Sequence, residues 1–169
     1  MQNHNFLDDF KKNAVFRIDE STRMIEKSLL EITFDELWQK PNESLNSIGN
    51  LLLHLCGNMT QYVVSSLGNL PDYRNREEEF TITGGFSKKA LLQKLQTTLE
   101  MVKKTIQETS EEQFAKERSV QGFTLSGTGI VLHVVEHYSY HTGQIAFWVK
   151  LLKNKDLGFY ENIDLNSKN

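Results

Sequence analysis

The chain has 169 residues, 38% apolar and 24% charged, with 19 Lys+Arg against 22 Asp+Glu for a net charge of −3. That length suits one domain able to bury a core, and the apolar content excludes a disordered chain. The faintly acidic balance argues against a protein that lives on phosphate backbones, so no nucleic-acid partner is expected.

The single cysteine, Cys56, has no partner for an intramolecular disulfide, which points to a reducing, cytoplasmic setting. The opening MQNHNFLDDFKK lacks the basic start and apolar stretch of a signal peptide. The longest apolar windows, around residues 51–56 and 130–135, fall far short of the ~18 residues of a membrane span. No membrane is expected.

In chain order, residues 6–31 carry Phe6, Phe10, Ala14, Ile18, Ile25 and Leu29 at helical spacing with charges between. Thr33 and Glu36 then read as a capping box opening a short helix that Pro41 closes. A second long helix runs from Ser44 or Asn46 to Leu67, with Ile48, Leu52, Leu55, Met59, Tyr62 and Val63 as its stripe. Gly68-Asn69 followed by Pro71 stops it. Residues 69–86 form a long connection with a dense charge run at 74–79 and an isolated β-prone piece at 80–83. Connections of that length are usually functional or crossovers; Arg74, Arg76 and Glu77–Glu79 could cover a pocket, but a solvated charged loop is the commoner case. The third long helix starts at the N-cap Ser87 and reaches Thr109, with Leu91, Leu95, Val102 and Ile106 facing inward. The fourth runs from Ser126 to Lys153 and is apolar nearly all round, so it is buried on several sides or helps form an oligomer interface. No alternating pattern is long enough to build a sheet. The expected fold is an all-α four-helix bundle, one domain over residues 1–169.

Five histidines are present. His4 lies at the extreme N-terminus and is set aside. His54 falls in the second helix; His133, His137 and His141 fall in the fourth at i, i+4, i+8. Each four-residue step turns a helix by a net ~40°, so neighbouring histidines share a face and can converge on one ion. His133 and His141 are ~12 Å apart along the axis, so one ion takes a pair and one histidine is left over. A third ligand must come from another helix, and His54 is the only other helical candidate. Three imidazoles with no fourth protein ligand leave open positions, the pattern of a catalytic site. A lone helical histidine among leucines is more often a hydrogen-bonded core residue, so the metal reading rests on the constellation. Asn58, Glu136 and Gln144 are candidates for orienting the ligand rings. Cys56 sits about 200° round the helix from His54 and reads as a small core residue. No E-x-x-H pair supports a ferritin-like di-iron site, and Gly84-Gly85 reads as a turn.

The segment HVVEHYSYHTGQI (residues 133–145) resembles the last-helix signature of the DinB/YfiT-like metalloenzymes, and NSIGNLLLHLCGN (46–58) resembles their second-helix signature. RNREEEF (74–80) resembles a branch of that superfamily known as a domain of unknown function. Order, spacing and length agree over nearly the whole chain. The resemblance implies a DinB-like bundle with one divalent metal on three histidines: His54, His137 and His141. His133 then lies one turn away, as a supporting or core residue. The resemblance also implies homodimers and reactions such as thiol-dependent transfer, with a low-molecular-weight thiol as partner of a small-molecule substrate. Zinc or nickel suits imidazole ligands, with iron or manganese as alternatives.

Two other readings compete. His133, Glu136 and His137 spell H-x-x-E-H, the inverted zinc-peptidase motif, which would make His133 a ligand and Glu136 the base of a hydrolase. Alternatively, the protein is a non-catalytic metal-binding dimeric bundle.

Overall fold

The computed structural model describes residues 5–168. His4 lies outside them. Helix α1 (Phe6–Leu30) starts where the Asn5 side chain accepts a hydrogen bond from Leu7 N, and Asp8 and Asp9 place negative charge in its first turn. Ala14, Ile18, Ile25 and Leu29 are buried, but Phe6 is 82% exposed. The stripe meets the core only from Phe10, whose ring packs edge-on against Phe114 at 5.9 Å. The capping box predicted for the next element is present: Glu36 N donates to Thr33 Oγ1 and Thr33 N to Glu36 Oε2, opening α2 (Phe34–Trp38). The Trp38 ring lies where a side chain on Gly49 would stand, so that glycine lets α2 close onto α3.

Helix α3 (Ile48–Met59) is capped by Ser47 rather than Ser44 or Asn46. It continues as a π-helical segment, Thr60–Leu67, whose wider turns end with Gly68 N on Val63 O and Leu70 N on Ser65 O. Asn69, not Gly68, takes the left-handed conformation that ends it (φ 58°).

The 69–86 connection is largely exposed, but it is not all loop. It contains α4 (Arg76–Thr81), so Phe80 and Thr81 of the β-prone piece are helical. Three consecutive glutamates in its first turn oppose the helix dipole's positive end, which favours helix over strand there. Helix α5 (Lys88–Glu108) has Ser87 as N-cap and buries Leu91, Leu95, Leu99, Val102 and Ile106. After α6 (Glu111–Ala115) comes a hairpin that periodicity did not reveal. Its strands β1 (Glu117–Val120) and β2 (Phe123–Ser126) pair antiparallel, Val120 opposite Phe123. Gln121 and Gly122 turn it with φ of 50° and 82°. Helix α7 (Gly127–Lys153) begins on the N-cap Ser126 and stops at left-handed Asn154.

Round the bundle the order is α1, α7, α3, α5, with α5 closing back on α1. Ile18, Leu52, Leu55, Leu95, Ile130, Val134, Tyr138 and Ile145 fill the middle. Tyr138 keeps its hydroxyl satisfied on Thr22 at 3.0 Å. Among the described residues no helix is long and apolar enough to cross a membrane. The order matters for function, because it makes α3 and α7 neighbours.

Candidate metal centre

His54 stands on the inner side of α3 and is only 6% exposed. His137 and His141 stand one turn apart on the facing side of α7, half-buried. The Nε2 atoms of His54 and His137 are 3.1 Å apart, and those of His137 and His141 are 3.2 Å apart. One ligand nitrogen from each of the three lies within 4.8 Å of the others. Neighbouring nitrogens held at ~2.0–2.1 Å by a common tetrahedral or octahedral ion stand ~2.9–3.4 Å from one another, so the spacings of His137 to His54 and to His141 fit one ion.

The outer nitrogens decide which lone pairs face inward. His54 Nδ1 lies 2.9 Å from Glu79 Oε2, and a carboxylate only accepts, so the proton is assigned to Nδ1 and Nε2 carries a bare lone pair. Arg74 Nη2, 3.1 Å from the same nitrogen, shares that acceptor at 2.8 Å. On the other helix, His141 Nδ1 lies 2.6 Å from Gln144 Oε1, and the same logic turns its Nε2 lone pair inward. His137 Nε2 therefore meets two lone pairs, and its single proton can satisfy at most one of them. Its Nδ1 is buried without a partner. A cation in the middle satisfies all three Nε2 atoms at once, which a purely hydrogen-bonded core does not. The three histidines could hold a metal ion.

The electrostatics agree with neutral ligands. Burial, then the imidazoles of His141 and His54, push the His137 pKa down to about 3. Burial also lowers His141, against the pull of Gln144. Burial works to raise the Glu79 carboxyl, but hydrogen bonds and charge from Arg74 and His54 outweigh it and hold it ionised, below its usual range.

Of the four candidates for supporting roles, Gln144 alone hydrogen-bonds a clustered ring, and His133 stacks on that of His137 at 5.4 Å. Asn58 Nδ2 sits 3.3 Å from His133 Nε2 instead, and Asn58 Oδ1 is buried without a partner. The His133 ring stacks on Tyr62 at 4.2 Å and stays outside the cluster. Glu136 is exposed on another side of α7, where it borders a groove with Arg17 and Tyr160. Cys56 is buried, and burial pushes its thiol up to about 11.

Sequence reasoning offered Arg74 and Glu79 only as cover over the pocket and missed their contact with His54. Both are nearly inaccessible, and Arg74 grips Glu79 through Nε–Oε1 at 2.7 Å and Nη2–Oε2 at 2.8 Å. In a run of three glutamates nothing marks the third, apart from its being the one that faces α3. A cavity of about 340 Å³ lies on their far side, between Gly57, Tyr73 and Lys94. A larger cleft of about 980 Å³, between the π-helical segment, α5, α6 and β1, is bordered by Gln61 and Arg118 and by none of the histidines.

Among solved structures, the chain is similar to a conserved protein from Enterococcus faecalis at TM-score 0.73 and 15% identity, over 85% of this chain and 97% of that one. It is also similar to a DinB-like protein from Bacillus cereus (TM-score 0.64, 13% identity, 86% and 91% covered). A DinB-like protein from Bacillus subtilis matches at TM-score 0.65 and 17% identity, with 85% and 94% covered. These are likenesses of fold, and the fold is DinB-like. No curated protein matches the sequence. The family model described as "Protein of unknown function (DUF1572)" matches residues 5–162.

Proposed function

The chain belongs to the DUF1572 family, and we propose that it binds one divalent metal ion through His54, His137 and His141 and uses it as an enzyme of the thiol-dependent transferase type. The observation that carries this reading is the convergence of three Nε2 atoms, two of them turned lone pair inward by Glu79 and Gln144. Zinc or nickel is the ion that suits three imidazoles. When bound, such an ion supplies Lewis acidity, which lowers the pKa of a coordinated thiol or water.

The chain's own residues supply the rest. Neutral imidazoles leave the ion its full charge, and the low His137 pKa keeps that ring deprotonated at neutral pH. Arg74 neutralises Glu79, so the carboxylate beside His54 adds no net charge. His137 and His141 are half-buried, so the centre can be approached from the solvent side of α7. The lone, buried Cys56 accords with a cytoplasmic location.

A second reading, a non-catalytic metal-binding homodimer, draws on one observation. Tyr140, Phe147 and Leu151 are exposed within a ~40° arc of α7, an apolar strip suited to a second copy. The hydrolase reading has less support, since it needs His133 as ligand and that ring faces Asn58 and Tyr62.

Metal analysis of the purified protein, followed by thiol consumption with a panel of electrophiles, tests the proposal. The expected result is about one metal per chain and metal-dependent loss of thiol. Protein without metal affinity overturns the reading, and a tightly bound metal with no thiol or water reaction favours the homodimer.

A further inference from the structure

The buried Arg74–Glu79 pair raises a question of purpose. Burying two charges costs about as much as their attraction returns, so such a pair is weak evidence for stability. Yet four features of the chain converge to install it. Arg74 binds the carboxylate through two parallel bonds, and Arg74 Nη1 is itself tied to Gln61 Oε1 at 2.9 Å. Asn50, which completes the capping box of α3, turns its amide outward to Glu79 O at 3.0 Å and Ile82 O at 2.6 Å, pinning the end of α4 to α3. The Phe80 ring lies against the His54 ring at 4.8 Å. Gly57, one turn beyond His54, has no side chain where one would overlap Glu79 Oε1 and stand 2.9 Å from Arg74 Nε. The helix therefore gives up side-chain packing at the one place where the carboxylate must pass to reach His54 Nδ1.

We propose that Glu79, held by Arg74 and admitted by Gly57, is a positioning residue for the metal centre: it fixes the tautomer and ring orientation of His54 so that Nε2 is presented to the ion. This rests on the metal reading above. It assigns the 69–86 connection a task, as the carrier of a brace that reaches the centre from outside the bundle. His141 is steadied by a neutral amide, Gln144, and His137 Nδ1 by nothing. His54 is thus the one ligand candidate with an ionic brace, and partners of this kind typically matter 10–100-fold in metal affinity.

The test is zinc competition against a chromophoric chelator, using the full metal-free chain as wild type, Glu79→Gln and Gly57→Ala. Gly57→Ala keeps every charge and every ligand and puts the better helix former into α3, and its methyl group displaces the Glu79 carboxylate and crowds Arg74 Nε rather than any backbone. Both variants should bind zinc 10–100-fold more weakly than wild type. Nitrogen NMR of the metal-free wild type should show His54 protonated on Nδ1, with the variants losing that fixed tautomer. Wild-type affinity in both variants overturns the brace while leaving the metal reading intact. A wild type that binds no zinc overturns both. If either variant also melts lower without metal, the His54 spectrum decides: a proton on wild-type Nδ1 upholds the proposal, and a proton on Nε2 overturns it.

Discussion

Replacing His141 and His133 by alanine, one at a time, separates the two ways of choosing ligands on α7. Zinc at a hundred times its dissociation constant stabilises a folded protein by about 2.7 kcal/mol. In a chain of this size each kcal/mol moves the melting temperature by about 2–4 °C, so the wild type should melt about 5–11 °C higher with zinc. His141 Nε2 is one of the converging nitrogens, 3.2 Å from that of His137. Four-ligand zinc sites are worth about 10–16 kcal/mol, so one ligand of the set accounts for about 3 kcal/mol, or two decades of affinity. At the same zinc concentration His141→Ala should then shift by only about 1–2 °C. His133→Ala should behave oppositely. It loses the stack on Tyr62 and the bond to Asn58, together about 1–3 kcal/mol, so its metal-free melting temperature falls. Its zinc-induced rise should match the wild type. Differential scanning fluorimetry with and without zinc reads both numbers. A full zinc shift in His141→Ala, with none in His133→Ala, would refute the assignment in favour of the H-x-x-E-H pairing.

Acid should weaken the metal-free fold before any carboxylate protonates. The folded pKa values of His133, His137 and His141 all lie below the ordinary 6.5 because of burial, with His137 at about 3. The unfolded chain therefore takes up protons that the folded chain refuses, so stability is full above pH 6.5 and lost as pH falls. Glu36 and Glu79, lowered from 4.5, act only below that value. The urea midpoint should drop between pH 7 and pH 5, and less steeply in His137→Ala; a midpoint flat over that window would contradict the buried-imidazole account. Two glycines on α7 should respond with opposite sign. A side chain at Gly127 would stand 2.7 Å from Gln113 O and 2.8 Å from Phe114 Cα, backbone that cannot yield easily, so Gly127→Ala should cost about 1–3 kcal/mol by thermal unfolding. Gly143 has open space around it, so Gly143→Ala should stabilise by up to about 1 kcal/mol without touching zinc affinity. Cys56, with its thiol pushed up to about 11 by burial, should resist a thiol reagent at pH 8 until urea unfolds the chain; prompt labelling would mean that α3 opens locally.

The bundle was legible because its signals are local. Ser87 and Ser126 cap the helices expected of them, the Thr33–Glu36 box forms, and stripes such as Ile48–Leu52–Leu55–Met59 need only one helix to be read. The convergence of His54 with two α7 histidines was suggested by spacing and by likeness, but the packing of α3 against α7 is a property of the assembled bundle. The hairpin escaped because its strands are four residues long, bury only Val120 fully, and are joined by Gln-Gly, a weaker turn signature than Asn-Gly. Arg74 and Glu79 escaped for a different reason. A charge run is ordinarily solvated, and Asn75–Glu78 of this one are; the Arg74 and Glu79 side chains alone are buried, because Asn50 pins α4 and Gly57 leaves a gap, two residues far from them in sequence. The π-helical turns after Met59 leave no mark in an apolar pattern that continues unbroken through Tyr62 and Val63.

The central claim is a place, and anomalous X-ray scattering at the zinc edge from zinc-soaked crystals measures it. The account predicts one strong peak between α3 and α7, ~2.0–2.1 Å from Nε2 of His54, His137 and His141. A peak on His133, or no peak among the three rings under saturating zinc, would contradict it.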